Sequence, residues 1–178
     1  MCTYITEKTE IYGNGKGHGD WLHLSHANVY YDHPSHAPMD HALAIDFVNE
    51  AQGPGARVAI EMSAESAHEL SRGIYTALGI SGDDKMLRDP IVSPRTITTE
   101  NIFGSGKGPK GWFAIRKANI CYDSPQHTNV PNTLNMEFVN DDYGLETKVA
   151  VELSADSAKR VVGKIRMILE SDEAKLLQ

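Results

Sequence analysis

A chain of 178 residues, 40% of them apolar and with a formal net charge of −7, has length enough for one sizeable domain or two small ones with a real core. The acid excess leaves no clustered Lys/Arg footprint for nucleic acid or an anionic membrane, and no apolar run nears the roughly 20 residues that span a bilayer. Cys2 and Cys121 are the only cysteines, too few for a disulfide framework; with no basic and apolar leader in MCTYITEKTEIYG, the expected compartment is the cytoplasm.

Removing Met1 would expose Cys2 as an N-terminal nucleophile of the amidase kind; with Met1 kept, Cys2 is a candidate soft metal ligand. The next stretch, GNGKGHG at 13–19, lacks the G-x-x-x-x-G-K-[ST] spacing of a phosphate loop and leads into a strand rather than a helix. It reads as a flexible glycine-rich connection. WLHLSHANVYYD at 21–32 is a β-rich run, and Trp21 in it reads as a core anchor.

YDHPSHAPMDH at 31–41 follows, a loop that Pro34 and Pro38 stiffen. His33, His36 and His41 stand at H-x2-H-x4-H spacing, short enough for three imidazoles on one folded loop to converge. Three protein ligands and an open position are the arrangement of catalytic zinc. The expected cofactor is a divalent ion, zinc first and iron, manganese or nickel as alternatives. A surface loop merely rich in histidine is the other reading of the same residues.

ALAIDFVN at 42–49 alternates, with Leu43, Ile45 and Phe47 on one face, and ARVAIEM at 56–62 does the same with Val58, Ile60 and Met62. Such alternation predicts antiparallel strands with one face on a core. Asp46 and Glu61 fall on the other face and are candidate general bases for a metal-bound water, although a carboxylate next to a helix start is also favoured by the helix dipole alone. Ser63 then offers an N-cap to a helix reaching about Leu78, with Ala67, Leu70, Ile74 and Leu78 as its apolar stripe.

The whole pattern returns 91 residues later. Ile11–Leu78 aligns with Ile102–Leu169 without a gap, and 26 of the 68 pairs are identical. The chain is a tandem duplication, with a Gly-, Pro- and charge-rich joining segment at 79–95. We divide it into an N-terminal repeat at 1–82, a linker at 83–94 and a C-terminal repeat at 95–178. Each repeat reads as β-β-β-α, with a short extra strand at the start as an option. The expected fold class is α+β: a pseudo-two-fold, two-layer arrangement of antiparallel sheet with helices on one face.

The repeats are not equivalent in charge. Residues 1–90 hold 6 Lys plus Arg against 13 Asp plus Glu and seven of the eight histidines, whereas residues 91–178 hold 11 against 11. In the second repeat Ser124 and Asn132 stand where the first has His33 and His41, and only His127 survives. The first repeat is therefore expected to be functional and the second structural, with His127 reaching across the seam as the variant to test.

MCTYITEKTEI, GxGKG, YYDHPSHAP and RVAIEMSAESA together resemble a family of short, uncharacterised bacterial proteins, common in actinobacteria, that carry a single copy of the unit. The resemblance covers residues 1–78 and, more weakly, 95–169. It implies a domain type, with the tandem chain imitating the homodimer of a single copy, and no reaction. Two functions follow as expectations. One is a small metal-dependent enzyme of hydrolase or lyase type acting on a small polar molecule; the other is a non-catalytic module binding a small ligand or metal. The expected partner is a small molecule, not nucleic acid or membrane, with an intramolecular pseudo-dimer that could oligomerise further.

Overall fold

The computed structural model describes residues 5–80 and 97–178, so Cys2 and the linker at 83–94 lie outside the described residues. Each repeat supplies four strands and a helix: β1 Ile5–Lys16, β2 Leu22–Asp32, β3 Ala42–Val48, β4 Arg57–Met62 and α1 Ala64–Ala77, then β5 Thr98–Gly108, β6 Gly111–Asp123, β7 Thr133–Val139, β8 Lys148–Leu153 and α2 Ala155–Leu169, with a short α3 at Asp172–Leu177. The limits read from periodicity for β2, β3, β4 and the two helices hold to within a residue or two, whereas the optional short first strand is the 12-residue β1. The serine caps hold as well: the Ser63 Oγ accepts from Ser66 N–H at 3.1 Å, and the Ser154 Oγ from Ser157 N–H at 3.2 Å.

The assembly of these elements corrects the expected fold class. The eight strands form one closed antiparallel barrel in sequence order, not a two-layer sheet with helices on one face. A four-strand meander has two unpaired edges, a liability in isolation. Here β4 pairs with β5, from Ile60 opposite Gly106 to Met62 opposite Gly104, and β1 pairs with β8, from Gly13 opposite Leu153 to Lys16 opposite Ala150. Closure across the repeats consumes all four edges.

Glycine at 13 and 104 is what this closure requires. A Cβ on Gly13 would stand 1.9 Å from the Glu152 carbonyl oxygen, and one on Gly104 would stand 2.0 Å from that of Glu61. The glycine-rich stretch expected to be a flexible connection is thus mostly strand, and its small residues allow backbones to meet. Both β1 and β5 shift register just before these glycines. At each shift the other repeat's helix start is attached: Ser154 N–H donates to Tyr12 O at 2.9 Å and Tyr12 N–H to Ser157 Oγ at 2.8 Å, while Ser63 N–H donates to Phe103 O at 3.0 Å and Phe103 N–H to Ser66 Oγ at 2.8 Å.

The helices are likewise exchanged. α1 packs on β5 and β6 of the second repeat, α2 on β1 and β2 of the first, and the two helices touch each other. They lie on the inner face of the long strands, since Gly73 of α1 sits against Ile120, whose neighbour across β7 is the buried Met136. Leu43, Ile45, Phe47, Val58, Ile60 and Met62, their second-repeat counterparts and the stripes of both helices form a single core. An eight-stranded barrel is just wide enough for side chains to fill. No helix among the described residues is long and apolar enough to cross a membrane.

Candidate functional site

On the outer face of each repeat, the loop after its second strand folds back over its third and fourth strands. A buried carboxylate holds it there. Glu61, 5% exposed, accepts Ser35 N–H at 2.8 Å on one oxygen, and His36 and Ala37 N–H at 2.9 and 3.0 Å on the other. Glu152 does the same in the second repeat with Gln126 N–H at 2.9 Å, His127 N–H at 3.0 Å and the Thr128 hydroxyl at 2.9 Å. The structure therefore places Glu61, expected as a candidate general base, beneath the loop with its lone pairs directed at backbone donors.

The histidines divide into two kinds. His36 lies flat on Trp112 of the other repeat, with centroids 4.0 Å apart and planes at 9°. His127 does the same on Trp21, at 4.0 Å and 19°. These two histidines and two tryptophans are equivalent under the 91-residue shift, so the pair of stacks forms a reciprocal clasp across the seam. The clasp explains why His127 alone survives in the second repeat. Trp21 and Trp112 are half-buried at the barrel surface, not core anchors.

His33 and His41 stay on the first repeat with centroids 4.5 Å apart, and His33 Nδ1 lies 3.2 Å from Asp32 Oδ1. Drawn onto Trp112, His36 does not join them. Among the described residues no group of three His, Cys, Asp or Glu could hold a metal ion. The structure thus brings His33 and His41 together and lays His36 on Trp112, a stacking partner on the other repeat that spacing could not reveal, so the three do not form the ligand group expected of them.

Behind the loops, the two outer faces differ most in bulk where the first repeat has Tyr30. In the first repeat, Tyr30 on β2 lies over Ala44 of β3, its cross-strand neighbour, and its hydroxyl donates to Asp46 Oδ2 at 3.4 Å. Arg57 donates to the same oxygen at 3.1 Å. Asp46, the second candidate base, is thus engaged by a phenol and a guanidinium. Burial raises its pKa above the ordinary value, against the pull of Arg57 and the Tyr30 hydroxyl.

In the second repeat the position of Tyr30 is taken by Cys121, that of Ala44 by Asn135, that of Asp46 by Glu137 and that of Arg57 by Lys148. Without the ring a cavity of 310 Å³ opens, walled by Asn119, Cys121, Asn135 and Glu137 and closed on one side by Trp21 from the first repeat. Thr99 donates to Asn119 Oδ1 at 2.9 Å and Thr133 to Asn135 Oδ1 at 2.6 Å, which fixes the orientation of both amides. Lys148 pairs with Glu137 at the rim. Burial pushes the Cys121 thiol up, so it remains protonated near neutral pH. None of these residues carries a motif in the sequence. The signal was available as the replacement of a tyrosine by a cysteine within an otherwise matched YYD and CYD.

The phenol of Tyr30 has its own titration. Burial first, and the Asp46 carboxylate second, push it up to about 12 from the ordinary value of 10. A folded-state value above the unfolded one contributes stability below the unfolded pKa and loses it as pH rises through the folded one. We expect stability to decline between about pH 10 and 12, and the tyrosinate absorbance of the folded protein to contain a late step that Tyr30→Phe deletes, beside that of Tyr31, which burial also pushes up. A Tyr30→Phe difference spectrum centred on the ordinary value would contradict this environment.

A family model described as a family of unknown function, DUF6295, matches residues 1–87 and again 94–178. No curated protein and no solved structure matches the chain.

Proposed function

Because the chain belongs, twice over, to the family of unknown function DUF6295, we propose that this tandem pair is a non-catalytic small-ligand-binding module whose site is the outer cavity of the second repeat. The observation that carries the reading is the cavity itself. Its 310 Å³ falls at the lower end of the range of small-molecule pockets, and a few fixed polar groups, the Asn119 and Asn135 amides and the Glu137–Lys148 pair, converge on it. The protonated thiol of Cys121 fits a contact group better than a nucleophile, because attack needs the thiolate.

This reading gives the two repeats complementary parts: the first keeps its own outer face filled and lends Trp21 to the second, which binds. The half with few histidines thus carries the site. The scarcity of cysteine fits a module working in the cytoplasm.

The test is a screen of small polar compounds by amide NMR. Binders are expected to shift the side-chain amides of Asn119 and Asn135 and to lose their effect in Cys121→Tyr, which refills the cavity as the first repeat does. Binders that cluster elsewhere and ignore Cys121→Tyr would overturn the reading.

A further inference from the structure

The two outer faces are the same scaffold with and without an aromatic ring, and this makes the filled one a template for what the open one receives. In the first repeat the ring of Tyr30 crosses Ala44 and ends on Asp46, with Arg57 on the same carboxylate. In the second, Cys121 stands opposite Asn135 in the same register, Asn119 stands opposite Glu137, and Lys148 pairs with Glu137. A carboxylate and its cation are therefore retained at the rim of the space, while the phenol that met their counterparts is gone. Nothing in the packing of β6 and β7 collapses onto the gap; it remains as the 310 Å³ cavity.

Resting on the ligand-binding reading above, we propose that the cavity takes a small planar ring bearing a hydroxyl group, seated where Tyr30 lies in the first repeat, with its hydroxyl donating to Glu137 and its edge against Asn119 and Asn135. The chemistry follows from the parts. The Glu137 carboxylate at the rim accepts from an O–H, as Asp46 does, with Lys148 paired beside it. Trp21 in the lining offers an aromatic face to a ring, and the volume leaves room for a substituent or a second fused ring. Two amides held by threonine hydroxyls add donors and acceptors at fixed positions, which a bare hydrocarbon ring would leave unpaired.

The probe is p-cresol, the side chain of tyrosine as a free molecule, with toluene as the ring without its hydroxyl. Titrated into the full chain, p-cresol should give saturable shifts at the Asn119 and Asn135 side chains, and toluene should bind at least about tenfold more weakly, the worth of one hydrogen bond to a charged group. Cys121→Tyr should abolish the shifts. Tyr30→Cys should raise the p-cresol stoichiometry from one to two by opening the first repeat's cavity.

Should Cys121→Tyr fail to fold, Glu137→Leu serves instead. It removes the acceptor and should erase the preference for p-cresol over toluene. Equal binding of toluene and p-cresol, or p-cresol shifts that survive in folded Cys121→Tyr, would overturn the proposal. Saturable binding of ring-free polar compounds at this cavity, with p-cresol silent, would sink the ring while leaving the binding module standing. Silence of every compound in both the wild type and Tyr30→Cys would remove both.

Discussion

Neither repeat expressed alone, as residues 1–87 or 94–178, is expected to exist as a folded monomer. The apolar face of each helix is buried on the other repeat's strands: α2, with Val161, Val162, Ile165 and Ile168 at 1% exposure or less, rests on β1 and β2, and α1, with Leu70 and Ile74 at 1%, rests on β5 and β6. At roughly 1.5–3 kcal/mol for each fully buried aliphatic side chain, uncovering one helix forfeits on the order of 10 kcal/mol. That equals the whole stability of a typical domain. The open edges of β1 and β4 add unpaired backbone groups.

Sedimentation and far-UV circular dichroism should therefore show each half as either unfolded or dimeric. An equimolar mixture should recover the spectrum of the full chain as a one-to-one complex. A half that sediments as a monomer with native strand content would mean that the exchange of helices does not hold the barrel together.

The same exchange marks the limit of what the sequence could tell. Alternation of Leu43, Ile45 and Phe47 says which side of a strand is inward, and Ser63 says where a helix begins; both are local and both were legible. An open sheet under a helical layer and a closed barrel plugged by helices have the same inward residues, so periodicity does not separate them. What separates them is the fate of the edges, and the only trace of that in the sequence is the recurring Gly13 and Gly104, where a Cβ would strike the facing carbonyl.

The site was legible to a smaller degree, for a related reason. His33, His36 and His41 are neighbours in sequence, and reading them as a unit assumes that a loop's partners are within the loop. His36 instead finds Trp112, 76 positions away. Once the repeats are aligned, the survival of His127 beside two lost histidines separates the stacking histidine from the others. The exchange of Tyr30 for Cys121 is equally visible in that alignment, but its meaning depends on an outer face that only the folded barrel creates.

Glu61→Ala is expected to destabilise the protein by about 2–4 kcal/mol, whatever it does to ligand binding. The variant strands the amides of Ser35, His36 and Ala37, which have Glu61 as their acceptor, and a buried donor left unsatisfied costs about 1–3 kcal/mol. Partial access of water to Ser35 and His36 keeps the sum below three full penalties. Glu61→Gln is informative because it preserves size. Its carbonyl oxygen can serve one side of the nest, but its NH2 must then face donors on the other, so the variant should recover less than half of the loss. A general base would behave differently: Glu61→Gln would spare the fold and remove only turnover. In the second repeat, Thr128 supplies through its hydroxyl the contact that Ala37 makes through its amide, so Thr128→Ala should weaken the Glu152 anchor by about 1 kcal/mol while leaving the Glu61 anchor intact. Thermal melts of Glu61→Ala and Glu152→Ala that coincide with the wild type would show that these carboxylates do not secure the loops, and the position of His36 and His127 on their tryptophans would then need another cause.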